Sequence, residues 1–390
     1  MKVLHVVPSF HPAYLYGGPI QSSYELCGNL AELGCEVRVL TTDANGLDRV
    51  TGVETGREVT MPEGFRVRYC HRRLRHSVSP KLATLLSSHV AWADVVHLTG
   101  VYNFPTFPTV LMCRRAGKPL IWSPRGALQR WGKSRRRSLK GLWDFSWYHL
   151  ADRANLTLHF TSEEEARESL ARLANLRAAV IPNGVAVPSS LNRSHPNGHL
   201  RLLFIGRLDP KKGIEALLRA CSLMKVEGQA KWHLRIAGWG DPGYVAHLQE
   251  EVTQLGLQQD VEMVGKVLAE AKKRLFENSD VVVVPSHTEN FAIVVAEALA
   301  HGVPAIASKG TPWSALEQKQ CGLWVENDSE SLQRAICKIR DMPLVEMGQR
   351  GHDWMQAEFS WASVSKTMLD LYREVLTCSS RAGAFNSLML

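Results

Sequence analysis

The chain is short of the patterns that announce several common chemistries. Its 390 residues hold no Cys-x-x-Cys pair, and the eight cysteines stand singly. Scattered thiols of this kind fit a reduced, cytosolic protein and exclude the usual structural zinc spacing. No apolar stretch approaches the roughly 18 residues a membrane span needs. The opening Met1-Lys2-Val3-Leu4-His5-Val6-Val7-Pro8 carries one positive charge and an apolar run broken by Pro8, so it reads as a first strand and not a signal peptide. The dinucleotide pattern G-x-G-x-x-G is absent, which argues against an NAD enzyme. Internal repeats and low-complexity segments are absent too.

What remains is globular. Hydrophobic residues make up 45% and charged residues 22%, enough for a full core, and the length suggests two or three domains. The net charge of +8 is uneven. Residues 1–190 hold 24 Lys and Arg against 15 Asp and Glu, or +9; the remainder holds 22 against 23, or −1. A basic first half beside a neutral second half suggests that the first half meets an anionic surface.

Short β-rich runs alternate with helical stretches through the first half: strands at 2–7, 36–41, 94–98, 120–123, 157–160 and 180–184, and helices at 20–33 and after Ser162. Residues 187–199, rich in Ser, Asn, Pro and Gly, read as a linker. The alternation then restarts, with strands at 200–206, 232–237, 261–264, 281–284 and 305–307 and helices between them. The expected fold class is α/β: two doubly wound, parallel-sheet, Rossmann-like domains, 1–186 and 200–360, facing across a cleft that receives the strand C-terminal ends. A final helix over 361–378 and a tail over 379–390 complete the chain.

Two glutamates carry the strongest signal. Glu289 lies where the apolar run Val281–Val284 becomes the helical stretch Ile293–His301, and Glu297 lies eight residues on, about 2.2 turns along it. Backbone N–H groups of Phe291, Ala292 and Ile293 at that helix start form an anion site. Ionised carboxylates only accept hydrogen bonds, so they suit hydroxyls. A ligand with phosphates and many hydroxyls is a sugar nucleotide. A second signal is Phe204-Ile205-Gly206-Arg207-Leu208-Asp209-Pro210-Lys211-Lys212-Gly213, where a buried strand delivers two cations five residues apart. Arg207 can fork onto a phosphate and Lys212 can act as a point charge. Gly17-Gly18 after the first strand is a weaker third, allowing close backbone approach.

On these residues, with Gly238-Trp239-Gly240, Val264-Gly265-Lys266-Val267 and the stretch from Glu289 to Pro304, nearly the whole chain resembles a retaining glycosyltransferase of the GT-B type, family 4. The resemblance implies that Arg207 and Lys212 hold the donor diphosphate and stabilise it as it leaves. It implies that Glu297 binds ribose hydroxyls, and that Glu289 binds the transferred sugar beside the amides of Asn290, Phe291, Ala292 and Ile293. Gly238, Lys266 and Val267 would lie near the base, and Gly18 would approach the phosphates. Phe359-Ser360-Trp361 and the helix after it resemble the family's last helix, which braces the first domain. No Asp-x-Asp pair occurs, so metal-independent transfer with no cofactor is expected.

Two departures stand out. The family pattern usually has glycine where Ala292 stands, and a histidine where Arg125 stands, in Trp122-Ser123-Pro124-Arg125-Gly126. Arginine stays charged and cannot act as a base, so Arg125 is expected as an electrostatic clamp or acceptor-binding group. His97, at another strand end, has a site reading and a structural one. On the acceptor side, residues 127–150 mix Arg130, Lys133, Arg135, Arg136, Arg137 and Lys140 with Trp131, Trp143, Trp147 and Tyr148. Such interleaving suits an anionic membrane interface as well as an ordinary solvated face.

The expected activity is transfer of a sugar from a UDP- or GDP-linked donor to a glycan or lipid-linked acceptor in cell-surface or exopolysaccharide synthesis, in the cytoplasm or at the inner membrane face. A sugar-nucleotide epimerase on the same plan is the alternative. A nucleic-acid-binding role is disfavoured by the neutral second half and by the lack of any recognition motif.

Overall fold

A computed structural model describes residues 1–129, 155–171, 176–192, 198–228 and 231–387, together with 143, 146 and 149–151. Most of the basic, tryptophan-rich stretch 127–150 therefore lies outside the described residues. The chain divides into two compact units, Met1–Gly184 with Trp361–Leu390, and Val185–Ser360. The second unit begins at Val185, so the stretch read as a linker, 187–199, falls inside it. The last helix, Trp361–Ser387, continues through most of the expected tail.

The first unit is built on strands β1 (Lys2–Val6), β2 (Glu36–Thr42), β5 (Glu58–Thr60), β6 (Arg66–Cys70), β7 (Val95–Thr99), β8 (Leu120–Ser123), β9 (Leu156–Phe160) and β10 (Arg177–Val180). They form one sheet in the order β10-β9-β8-β7-β1-β2-β6-β5. A small hairpin, β3 (Ala44–Asn45) with β4 (Asp48–Arg49), follows β2. Every pairing in the large sheet is parallel except β5 with the neighbouring β6. Parallel strands are covered on both faces and so read as continuous apolar runs. Alternate residues serve opposite layers: Leu4, Val96 and Trp122 join one core, and Val3, Val95 and Ile121 the other. Val364, Met368, Tyr372 and Val375 of the last helix join that second core.

Under this helix runs a chain of buried polar groups. Burial holds the His5 and His159 imidazoles at about 3 and His97 well below the usual range, with Arg125 adding to each. All three rings are therefore neutral, and geometry orders their protons. Ile181 O only accepts, so His159 Nε2 at 2.9 Å carries the proton and Nδ1 accepts from Ser123 Oγ at 2.6 Å. Ser123 Oγ in turn accepts from His97 Nε2 at 2.6 Å, and His97 Nδ1 accepts from the Tyr372 hydroxyl at 2.6 Å. Tyr372 finally accepts from His5 Nε2 at 3.3 Å. His97 is 1% exposed with both ring nitrogens engaged, a structural role.

The second unit has strands β11 (Leu200–Ile205), β12 (Trp232–Ala237), β13 (Val261–Gly265), β14 (Val281–Val284), β15 (Ala305–Ser308) and β16 (Gly322–Val325). They are all parallel, in the order β13-β12-β11-β14-β15-β16. Leu202 and Val283 face a core shared with helices Ile214–Val226 and Ser329–Arg340, while Leu203 and Val282 face one shared with helix Ile293–Ala300. The strand order reverses between β11 and β14, which makes their C-terminal ends the topological switch point where open α/β sheets bind ligands.

The unit's two ends are paired. Val185 N donates to Phe359 O at 2.8 Å, and Val185 forms a parallel bridge with Ser360. One residue outward, in the first unit, Gly184 lies so close beneath the Trp361 indole that an added Cβ would stand 2.3 Å from it.

A ring titration tests the proton chain. Exposed in the unfolded chain, these histidines take protons near pH 6.5, whereas the folded rings refuse them until about 3. Their contribution to stability is full above 6.5 and is lost as pH falls toward 3. Nitrogen-15 NMR at pH 5 is expected to show His5 and His159 neutral; a midpoint near 6.5 for either ring contradicts the assignment.

Candidate active site

The site is assembled from loops that follow the strands of the second unit. Beyond β11, Leu208 N pairs with Trp239 O at 2.8 Å and carries the strand contact into the loops. Asp209 Oδ1 then caps the single turn Pro210–Lys212 by accepting from Lys211 N at 3.1 Å. That turn aims Lys212 at the loop after β14, where its ammonium donates to Glu289 Oε1. Ser286 Oγ donates to the same oxygen at 2.8 Å, and the Glu289 backbone N–H donates to Gly310 O at 2.8 Å, so side chain and backbone are both held. The pair is nearly covered, Lys212 at 18% and Glu289 at 11% exposure.

Lys211, which the sequence reading passed over, belongs to the same cluster. Its carbonyl accepts from His287 N at 2.8 Å. Burial lowers the pKa of its half-buried ammonium; Glu289 opposes this, and Lys212 and Arg207 add to it. Arg207 itself is exposed. Three cations, Arg207, Lys211 and Lys212, and two carboxylates, Asp209 and Glu289, thus lie together at the switch point, a net positive charge suited to a polyanion.

Helix Ile293–Ala300 begins differently from the expectation. Ala292, its N-cap, is in the left-handed region at φ 56° and ψ 62°, which costs an alanine about 1 kcal/mol relative to ordinary backbone. The residue type that resemblance led us to expect, glycine, would carry no such cost. Phe291, named for its amide, turns its ring into the core, 5.4 Å from Trp313 and 6.2 Å from Phe359. The Trp313 indole donates to Phe291 O at 2.6 Å and anchors the loop from below; Trp313 too was missed, because nothing in its neighbourhood along the chain points to this contact.

Glu297 sits on that helix, half-buried. Its Oε1 accepts from Lys272 Nζ at 2.5 Å, while its Oε2 is buried with no hydrogen-bond partner. A carboxylate with one oxygen held and the other unmatched is suited to accept from a ligand hydroxyl. Gly238 has φ 152°, and an added Cβ there would lie 1.8 Å from Gly206 O. Its glycine is thus required by the packing of the β11 and β12 loops. Lys266 is exposed, with Nζ 5.5 Å over the Trp239 ring, and Val267 packs on the core beside helix Ile293–Ala300.

Gly18 and Arg125 belong to the first unit. Gly18 is the exposed first residue of helix Gly18–Glu32. Arg125, at φ 55°, donates from Nη1 to Asn183 Oδ1. Burial lowers its pKa and Glu165 raises it. Glu165 is itself tied down by Gly126 N at 2.6 Å, Thr161 N at 2.8 Å and Thr161 Oγ1 at 2.9 Å.

Comparison with known proteins places this arrangement. Residues 17–184 match the glycosyl transferase 4-like domain, and residues 192–353 match glycosyl transferases group 1. A GDP-mannose:cellobiosyl-diphosphopolyprenol alpha-mannosyltransferase of Xanthomonas oryzae is 25% identical over 386 residues, 96% of this chain and 97% of the relative. An uncharacterized glycosyltransferase of Methanocaldococcus jannaschii is 32% identical over 188 residues, a match that spans about half of each protein, 46% of either. The solved sucrose-phosphate synthase of Thermosynechococcus elongatus has a TM-score of 0.79 at 20% identity, covering 97% of this chain and 100% of that one. The chain belongs to the glycosyltransferases of the GT-B fold, with one family domain in each half.

The left-handed Ala292 gives a stability test. A β-branched residue is a genuine outlier there, so Ala292→Val is expected to cost about 2 kcal/mol, whereas Ala292→Gly stays near the parent. Chemical denaturation of both variants checks this; equal stability of the two would contradict the assigned backbone.

Proposed function

We propose that the chain transfers a sugar from a UDP- or GDP-linked donor to a glycan or lipid-linked acceptor, with retention of configuration and without a metal, in the synthesis of cell-surface or exopolysaccharide. The Lys212–Glu289 contact at the switch point, with Arg207 and Lys211 beside it, carries the reading. As the glycosidic bond to the diphosphate breaks, charge accumulates on the leaving group. Fixed cations there act more strongly on the transition state than on the ground state, which is what accelerates a reaction.

Glu289, already gripping Lys212, would place the transferred sugar against those cations. The unmatched Oε2 of Glu297 would accept from the ribose. Arg125 would bind the acceptor or act as an electrostatic clamp. Arg207, Lys211 and Lys212 would do the work that a divalent cation does in metal-dependent transferases. The alpha-mannosyltransferase relative, whose name includes a diphosphopolyprenol acceptor, supports a lipid-linked acceptor and hence work at the cytoplasmic membrane face. The epimerase alternative is not favoured, because the two family domains and the relatives above are transferases.

A thermal-shift panel of UDP- and GDP-sugars identifies the donor, since binding raises folded stability by mass action. With that donor, Lys212→Met is expected to lower kcat about a hundredfold or more, and Glu297→Gln to weaken donor binding about tenfold. Chelation is expected to leave turnover unchanged, and the product anomer by NMR to match the donor's. Folded variants with parental turnover and donor affinity would refute the assignment.

A further inference from the structure

Within the second unit, helix Ala269–Glu277 is tied to helix Ile293–Ala300 and the residue after it by two contacts, one turn apart. In one, Lys272 Nζ donates to Glu297 Oε1 at 2.5 Å. In the other, Phe276 stacks on His301, with ring centroids 5.0 Å apart and planes 25° apart. Phe276 is 1% exposed and belongs to the core, so this second contact is an anchor. His301 Nδ1 also donates to Glu297 O at 2.8 Å and fixes the backbone from which the glutamate projects.

Lys272 closes the first turn of its helix, where a cation faces the positive end of the helix dipole. That position is unfavourable for an ammonium, and the Glu297 carboxylate offsets it. The next residue, Lys273, makes only an ordinary pair with Glu277 on its own helix, at 3.9 Å. Lys272 instead has its partner on another helix, and both side chains are mostly covered, at 33% and 23% exposure.

A free glutamate side chain samples many rotamers. Here the ammonium takes Oε1, and Oε2 is left buried with no hydrogen-bond partner. One oxygen is anchored and the other is presented at a fixed place. A ligand group that donates a hydrogen there is matched. A ligand that covers Oε2 without donating shuts it from water and leaves it unpaired. A site of this kind rejects an analogue that lacks one hydroxyl, provided that the carboxylate cannot turn away.

We propose that Lys272 is a positioning residue that gives the site its selectivity for ribonucleotides over deoxyribonucleotides; this rests on the reading of Glu297 as the group that meets the ribose. By pinning Oε1, Lys272 keeps Oε2 where the ribose of a nucleoside diphosphate has to supply a hydroxyl. Lys272 acts through Glu297 and does not need to touch the ligand. Without it, Glu297 turns toward solvent, and the sugars with and without that hydroxyl become alike to the site.

Isothermal titration calorimetry of the full chain with UDP and GDP, and with the 2′-deoxy and 3′-deoxy form of each, tests the role. The parent is expected to bind the better of the two ribonucleotides about tenfold or more tightly than one of its deoxy forms. Glu297→Ala and Lys272→Met are each expected to cut that ratio to about twofold or less. Lys272→Arg, which still donates from a cation, is expected to stay within about twofold of the parental ratio. A merely structural loss would weaken all the nucleotides alike and leave the ratio unchanged. Absence of this selectivity in the parent, or its survival in Glu297→Ala, overturns the ribose reading and the proposal with it. If those two proteins behave as expected, a parental ratio in Lys272→Met, or a ratio in Lys272→Arg as low as that of Lys272→Met, overturns the role of Lys272 alone.

Discussion

The interaction on which the site depends is the contact between Lys212 and Glu289, side chains 77 residues apart that meet because β11 and β14 are neighbours in the sheet. Both are largely covered, and a covered ion pair differs from a surface one. Removing one member leaves the other's charge uncompensated, a larger penalty than the pair's own attraction. The two loops are therefore constrained jointly. Ser286 and Gly310 support Glu289 from its own side of the sheet, and Asp209 supports the turn that carries Lys212. The same constraint explains why glycine is demanded nearby: with Gly206 O where a Cβ of residue 238 would go, the β11 and β12 loops leave no room for a side chain.

Much of this was legible along the chain, and the failures have physical causes. Strands Trp232–Ala237, Val281–Val284 and Leu120–Ser123 have the bounds expected; Val281–Val284, buried along its whole length, has no polar residue to blur its ends. β6 was missed: Arg66 and Arg68 alternate with Val67, the signature of a strand half-covered near a sheet edge. Helix Pro80–Trp92 was missed although Ser79 accepts from Leu82 N and Pro80 opens the first turn, both recognised start signals. At the site, Arg207, Lys212, Glu289 and Glu297 stood out because their spacing around strand ends is local. Lys272 and Trp313 reach the site from other helices and loops, and only the folded chain reveals them. Ala292 was legible as a departure, but its left-handed backbone was not.

The two units treat ionisable groups in contrasting ways. In the second, cations and carboxylates pair with one another, Lys212 with Glu289 and Lys272 with Glu297. In the first, burial strips charge from His5, His97 and His159 and leaves them as a directional series of donors and acceptors ending on Ile181 O. Reversing any one bond would set two lone pairs or two protons against each other, so the series specifies one arrangement of β1, β7, β8, β9 and the last helix. Arg125 lies two residues past Ser123, and Asn183 two residues past Ile181, so the anchored strand ends lead directly into the pair that positions this arginine.

The neighbouring ends of the second unit have an evolutionary corollary. Chain direction passes from Gly184 into Val185 and returns from Ser360 into Trp361, with Val185 paired to Phe359 and Gly184 packed under Trp361. The second unit is one uninterrupted stretch of chain whose two ends lie side by side as a strand pair. Recombination can exchange such a stretch as one piece, so a lineage can replace it without altering the chain on either side, Arg125 included.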